Sequence, residues 1–243
     1  MPSRLVAPLG FVLLALAAIS CADSVSAPNH VETAVPADTT TVYILEGDIT
    51  LTGRLFGADN KNIVILSHQR QNDETAWYPF AEQLAQKGFA ALAFNFRGYD
   101  GSTGSQDYDK LGADLTTVIN YVRARKIYSK IFLVGASMGA TASLVVAEKE
   151  NVDAAVAVSP PAKFASQDAL KAVPNVTAPK LFLASTDDAP ALQFDDLYQA
   201  AADPKEEQVY PGNAHGTDLF DPSKNAEAAS VGDRILGFLQ AHD

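Results

Sequence analysis

Gly135-Ala136-Ser137-Met138-Gly139 is the segment of this chain with the clearest chemical meaning. An apolar strand candidate, Ile131 to Val134, runs into it, and a helix-like run, Thr141 to Lys149, leaves it. A serine on a sharp strand-to-helix turn projects its hydroxyl out of a sheet edge, and so tight a turn accepts only small neighbours. The N-terminus of the following helix offers free backbone N–H groups and the positive end of a dipole. Both suit the oxyanion that develops when a serine attacks a carbonyl carbon. Ser137 is therefore the candidate nucleophile.

A serine hydroxyl needs a base to remove its proton, and the chain has four histidines. His30 lies in a polar, aperiodic stretch and His242 is the penultimate residue. His68 ends an apolar strand candidate but precedes the serine. His215 sits in Gly212-Asn213-Ala214-His215-Gly216, between the last strand candidate and the last helix candidate. By elimination and by position, His215 is the candidate base. A third group, a carboxylate, should hold the imidazole in one tautomer and offset its transient charge. Asp187 and Asp188, just after the strand candidate Leu181 to Ala184, both qualify.

These residues need a scaffold that brings them to one edge. Val42 and Ile44, then Ile49, Leu51 and Leu55, alternate around Glu46-Gly47-Asp48, which predicts two strands joined by a tight turn. Ile63 to Leu66 is a short all-apolar run, as expected for a strand buried on both faces. Trp77, Phe80, Ala81 and Leu84 have helical spacing, with Gly88 as a C-terminal cap. Phe89 to Phe96 predicts a strand, and Leu111, Leu115, Val118, Ile119 and Val122 one face of a helix. Ala154 to Val158 predicts another strand, Pro190 to Ala201 a helix, and Gln208 to Tyr210 a short strand. Asp221-Pro222 reads as the N-cap and first turn of a final helix carrying Val231, Ile235, Phe238 and Leu239. Strands alternating with helices imply a mostly parallel sheet covered on both faces. The gap from Ser159 to Pro179 has room for one or two helical turns and not for a folded lid.

From about Thr41 onward the chain resembles the α/β-hydrolase superfamily, nearest to its small lidless, dienelactone-hydrolase-like esterases. Besides Ser137 and Ala214-His215-Gly216, the resemblance rests on Ser67-His68-Gln69-Arg70, at the place of the family's His-Gly oxyanion loop. It rests also on Phe96-Arg97-Gly98-Tyr99-Asp100-Gly101-Ser102, similar to the family's F-R-G-x-G-x-S segment. The chain order serine, aspartate, histidine is that of the family. The resemblance implies Asp188 as the acid, with Asp187 as the alternative. It also implies an oxyanion hole made by the backbone N–H of Met138 and one from Gln69 or Arg70. The family's glycine after the histidine is Gln69 here, and a side chain there could narrow the acyl pocket or change which amide points inward. Arg97 is expected to pin its loop, and Ser102, Gly104 and Ser105 to form a flexible loop beside the site.

The expected reaction is cleavage of a small carboxylic ester through an acyl-serine, without cofactor or metal. The alternatives are a thioesterase or peptidase using the same residues, or a non-catalytic surface-binding lipoprotein on this scaffold. With a net charge of −11 and no basic run beyond the first residues, the chain lacks the concentrated Lys and Arg of a nucleic-acid-binding face. Its length of 243 residues suits one domain, or at most two. Arg4 followed by the apolar run Leu5 to Ile19 reads as an export signal over residues 1–20. Cys21, the only cysteine, falls where a bacterial lipobox places its lipidated residue; the alternative is ordinary cleavage near Ala22. Residues 21–40 then form a tether between a lipid anchor and a domain spanning residues 41–243, in the cell envelope.

Overall fold

The computed structural model describes residues 39–243, besides Met1. The expected export signal, Cys21 and the tether up to residue 38 lie outside the described residues. The first strand, β1 (Thr39–Glu46), takes in Thr39 and Thr40, which composition had assigned to the tether. With β2 (Ile49–Phe56) it forms an antiparallel hairpin around Gly47-Asp48. Its alternation is reproduced in burial: Val42 and Ile44 face inward while Tyr43 and Leu45 face outward.

The chain then alternates. It runs through β3 (Asn62–Ser67), α1 (Tyr78–Gln86), β4 (Phe89–Phe94), α2 (Leu111–Ala124), β5 (Lys130–Ala136), α3 (Met138–Ala147) and β6 (Ala154–Val158). A two-residue-per-strand hairpin, β7 (Lys163–Phe164) and β8 (Gln167–Asp168), and one helical turn, α4 (Ala169–Ala172), fill the gap where no lid was expected. The last elements are β9 (Lys180–Ser185), α5 (Phe194–Ala200), β10 (Lys205–Tyr210) and α6 (Ala228–Ala241).

Eight strands make one sheet in the order β1-β2-β4-β3-β5-β6-β9-β10, antiparallel at the β1–β2–β4 end and parallel from β4 to β10. The period of two along each strand divides the core. Val64 and Leu66 of β3 join α1 and α6 on one face, through Phe80, Leu84, Val231, Ile235 and Leu239. Ile63 and Ile65 join α2 and α3 on the other, through Leu115, Val118, Ile119 and Val146. A strand packed on both faces has no polar position to spare, which is why β3 to β6 and β9 read as apolar runs.

The order of strands places the site. The chain leaves β4 on one side of β3 and returns in β5 on the other. In open parallel sheets, ligands bind at the carboxyl ends of strands where the order reverses in this way. The loop after β3 and the turn after β5 both lie there.

Three elements depart from expectation. β4 stops at Phe94: the Asn95 N–H still reaches the Thr52 carbonyl of β2 at 2.8 Å, but its side chain turns to the loops, accepting the Glu74 N–H and donating to the Asp100 carbonyl. The helix expected over Pro190 to Ala201 is a 3-10 turn (Ala189–Ala191) followed by α5. Asp221-Pro222 does not open the last helix: α6 begins at Ala228. The Asp221 carboxylate instead accepts the Ser223 N–H and hydroxyl, a local turn that competes with helix initiation.

Candidate active site

Ser137 lies between the end of β5 and the first residue of α3, at φ 50° and ψ −117°. This backbone is uncommon for a residue with a side chain and costs about 1–3 kcal/mol, which the surrounding packing must offset. The flanking glycines explain how the turn closes. A Cβ on Gly135 would collide with the backbone of Gly139, and one on Gly139 with the carbonyl of Ser67. Neither position has room for any other residue. The Ser137 N–H donates to the Val158 carbonyl at 2.9 Å, tying the turn to β6. Met138 is the first residue of α3, so its N–H has no partner within the helix and stands at the positive end of the dipole.

The structure brings Ser137, His215 and Asp188 together in one chain of hydrogen bonds. His215 Nε2 is 2.8 Å from Ser137 Oγ. His215 Nδ1 is 2.7 Å from Asp188 Oδ1. Asp188 is 4 % exposed, and its second oxygen has no partner among the described residues, so its charge is directed at the imidazole. Asp187 does not reach the site: its side chain is exposed beside Thr186, and its N–H donates to the Gly212 carbonyl. With Nδ1–H donating to the carboxylate, Nε2 is left to accept the serine proton. An imidazole so held can act as a base toward the hydroxyl.

The loop after β3 faces this group. His68 is fully buried, and its tautomer is fixed by its neighbours. Nε2 accepts the Phe96 N–H at 3.2 Å, so Nδ1 carries the proton and donates to the Gln69 carbonyl at 2.8 Å. Burial pushes His68 down to about 4. The Gln69 carbonyl also accepts the Asn72 N–H at 3.2 Å. Because the peptide is planar and trans, the Arg70 N–H lies on the opposite side from this doubly held carbonyl. The side chain of Gln69 is turned toward Thr217 and buried, with Oε1 accepting the Thr217 N–H at 2.8 Å. The Tyr99 hydroxyl donates to the Arg70 carbonyl at 3.1 Å and lies 3.9 Å from Met138 Sδ.

Arg97 is pinned as its position suggests. Its N–H and guanidinium donate to Asp114, which is fully buried, and its outer nitrogen reaches Glu46 at 2.8 Å. Ser102 is not part of a free loop. Its hydroxyl donates to the Asn95 carbonyl and accepts the Thr52 N–H, both at 2.9 Å, fastening the loop after β4 onto β2. Among the described residues no group of three or more His, Cys, Asp or Glu side chains could hold a metal ion.

Sequence reasoning did not find Ser159 and Ser185. Both are buried at strand ends and bond the backbone around His215. A serine at the end of a strand adds nothing to the apolar pattern that identifies the strand, and only the fold reveals what it touches.

The fold and this site define an α/β-hydrolase. A family model described as alpha/beta hydrolase fold matches residues 62–211, more than half of the chain, and the chain belongs to that family. The match contains Ser137 and Asp188 and ends before His215. No curated protein matches the chain by sequence. Among solved structures, an esterase of Pyrococcus furiosus superposes with a TM-score of 0.72 at 18% identity, covering 84% of this chain and 92% of its own. Est1E of Butyrivibrio proteoclasticus gives 0.69 at 15% identity, over 83% and 98%. The enol-lactonase of Burkholderia xenovorans gives 0.70 at 15%, over 82% and 100%.

Proposed function

We propose that the protein is a serine hydrolase cleaving small carboxylic esters through an acyl-serine intermediate. The observation that carries the reading is the continuous hydrogen-bond chain from Ser137 Oγ through His215 to Asp188. Ser137 Oγ attacks the acyl carbon while His215 Nε2 takes its proton. The oxyanion is received by the Met138 N–H and by an amide of the Gln69-Arg70 segment. His215 then gives its proton to the leaving alcohol, and the acyl group remains on Ser137. Water enters, loses a proton to His215 and attacks the acyl carbon; the acid leaves, and the proton returns to Ser137. Asp188 keeps the imidazole in the tautomer each step needs and stays ionised throughout.

Small esters are favoured because, among the described residues, nothing sizeable covers the carboxyl ends of the strands. Between β6 and β9 the described chain builds only the β7–β8 hairpin, α4 and a 3-10 turn. Hydrolysis of p-nitrophenyl esters of increasing chain length, by residues 22 to 243 and by a Ser137→Ala control, tests the reading. Activity lost in the control and declining with chain length is expected. Activity rising toward long chains would replace the open-site esterase with a lipase-like enzyme. A wild-type protein that neither cleaves any ester nor reacts with a fluorophosphonate probe would remove the catalytic reading.

We also propose that Cys21 carries the lipid anchor and holds the enzyme in the cell envelope, with residues 22–38 as its tether. The short apolar run before the only cysteine supports this. Incorporation of a labelled fatty acid that is lost in Cys21→Ser is the expected result, and unchanged incorporation would refute it.

A further inference from the structure

Three buried side chains, each from a different strand end, grip the backbone on both sides of His215. Ser185, the last residue of β9, donates its hydroxyl to the Ala214 carbonyl at 2.8 Å. Ser159, the residue after β6, accepts the Gly216 N–H on its hydroxyl oxygen at 2.8 Å. Gln69, in the loop after β3, accepts the Thr217 N–H on Oε1 at 2.8 Å and the Thr217 hydroxyl at 3.3 Å. Asn72 closes the set, its side-chain amide donating to the Thr217 hydroxyl at 3.0 Å.

A loop has no ladder of its own, and buried backbone groups must find partners. Here the partners come from the sheet, so the loop takes its position from the frame that carries Ser137. Ser159 is fully buried and held at φ 52°, a backbone strain tolerated where its hydroxyl meets Gly216. Gly216, at φ 59°, passes so close to Gln69 Oε1 that a Cβ there would overlap it.

Gln69 has a second attachment. Its own carbonyl is held by the His68 ring and the Asn72 N–H, within the segment proposed to supply an oxyanion amide. One residue thus joins the oxyanion side of the site to the histidine side. We infer that Gln69 is a positioning residue whose side-chain oxygen couples the loop after β3 to the His215 loop and keeps the imidazole aligned with Ser137, with Ser159 and Ser185 completing the clamp. The inference rests on the serine-hydrolase reading. It also separates two roles for Gln69. A packing role needs only a side chain of that size, whereas coupling needs an acceptor oxygen.

The test compares wild type, Gln69→Leu, Gln69→Glu and Ser159→Ala, each checked by thermal melting to be folded at the assay temperature. The readouts are kcat and KM on p-nitrophenyl acetate and the rate of fluorophosphonate labelling. Gln69→Leu is expected to lower kcat by about 10- to 100-fold with little change in KM, because misalignment of a base by a fraction of an ångström acts on the transition state. Labelling should slow in parallel. Gln69→Glu, which keeps an acceptor, should lose markedly less, and Ser159→Ala should lower kcat in the same direction. Should Gln69→Leu fail to fold, Ser159→Ala and Ser185→Ala carry the test by the same split. Values of kcat within about twofold of wild type in the folded variants, or equal losses in Gln69→Leu and Gln69→Glu, would overturn the inference. A wild-type protein that does not label at all would overturn the reading beneath it.

Discussion

Ser137, the proposed nucleophile, also carries backbone strain, at φ 50°. Its replacement by alanine should lower ester hydrolysis by about 10⁴-fold or more, since neither the imidazole nor the backbone amides can replace the nucleophile. The two aspartates offer a sharper comparison. Asp188→Asn keeps the shape but presents an amide to His215 Nδ1, and should lower kcat by about 10²- to 10⁴-fold. Asp187→Asn, at an exposed side chain, should leave kcat close to wild type. Steady-state kinetics on one ester distinguishes them. The serine, the histidine and the pair of aspartates were legible in the sequence because they are few, their chain order is diagnostic, and glycines flank two of them. Asp188 was separated from Asp187 by the resemblance alone; the direction of the turn after β9 then places one inside and one outside. Gln69 was legible as a departure from a glycine, but its reach to Thr217, 148 positions along the chain, was not.

At the level of elements, the loop after β3 and the 3-10 turn that precedes α1 (Glu74–Trp77) hold two groups whose titration burial shifts in opposite directions. His68 is pushed down to about 4 by burial, so it stays neutral in the folded protein while its unfolded counterpart protonates near 6.5. Its contribution is complete above 6.5 and is lost as pH falls toward 4, by about 3 kcal/mol. Glu74 behaves in the opposite sense. Burial, with Asp73 beside it, pushes its carboxyl up to about 7, so the folded state holds a proton that the unfolded state releases near 4.5. Stability from Glu74 therefore declines as pH rises from 4.5 to 7. Denaturant unfolding of Glu74→Gln should show its stability relative to wild type rising between about pH 5 and 8, by up to about 3 kcal/mol. A difference independent of pH would mean that Glu74 ionises normally. These pairings were invisible to pattern reading, which follows apolar periods. The same limit explains α6: Asp221-Pro222 has the composition of a helix start, yet the Asp221 carboxylate is occupied by Ser223, and helical backbone waits until Ala228. Where periodicity was strong, in β3, α2, β5 and β6, the elements fall where the sequence puts them.

Across the whole molecule, a chain beginning at Thr39 should fold and retain the proposed ester hydrolysis, because the sheet, both helical layers and the candidate site all lie within residues 39–243. Circular dichroism and ester turnover on such a truncation check this, and loss of either would mean that earlier residues belong to the domain. The two sheet edges differ. β10 carries Lys205, Glu206 and Glu207, charges that discourage pairing with another sheet, whereas β1 leaves Tyr43 and Leu45 exposed. The clamp around His215 has a consequence for how the enzyme comes into being. Its anchors, Gln69, Ser159 and Ser185, are set by three strands far apart in the chain, and contacts between distant segments form late because loop closure must precede them. During refolding from denaturant, far-ultraviolet signal from the helices should therefore recover ahead of catalysis. Turnover would then be a clock for the final step, when the last strands have docked and the site assembles as a unit.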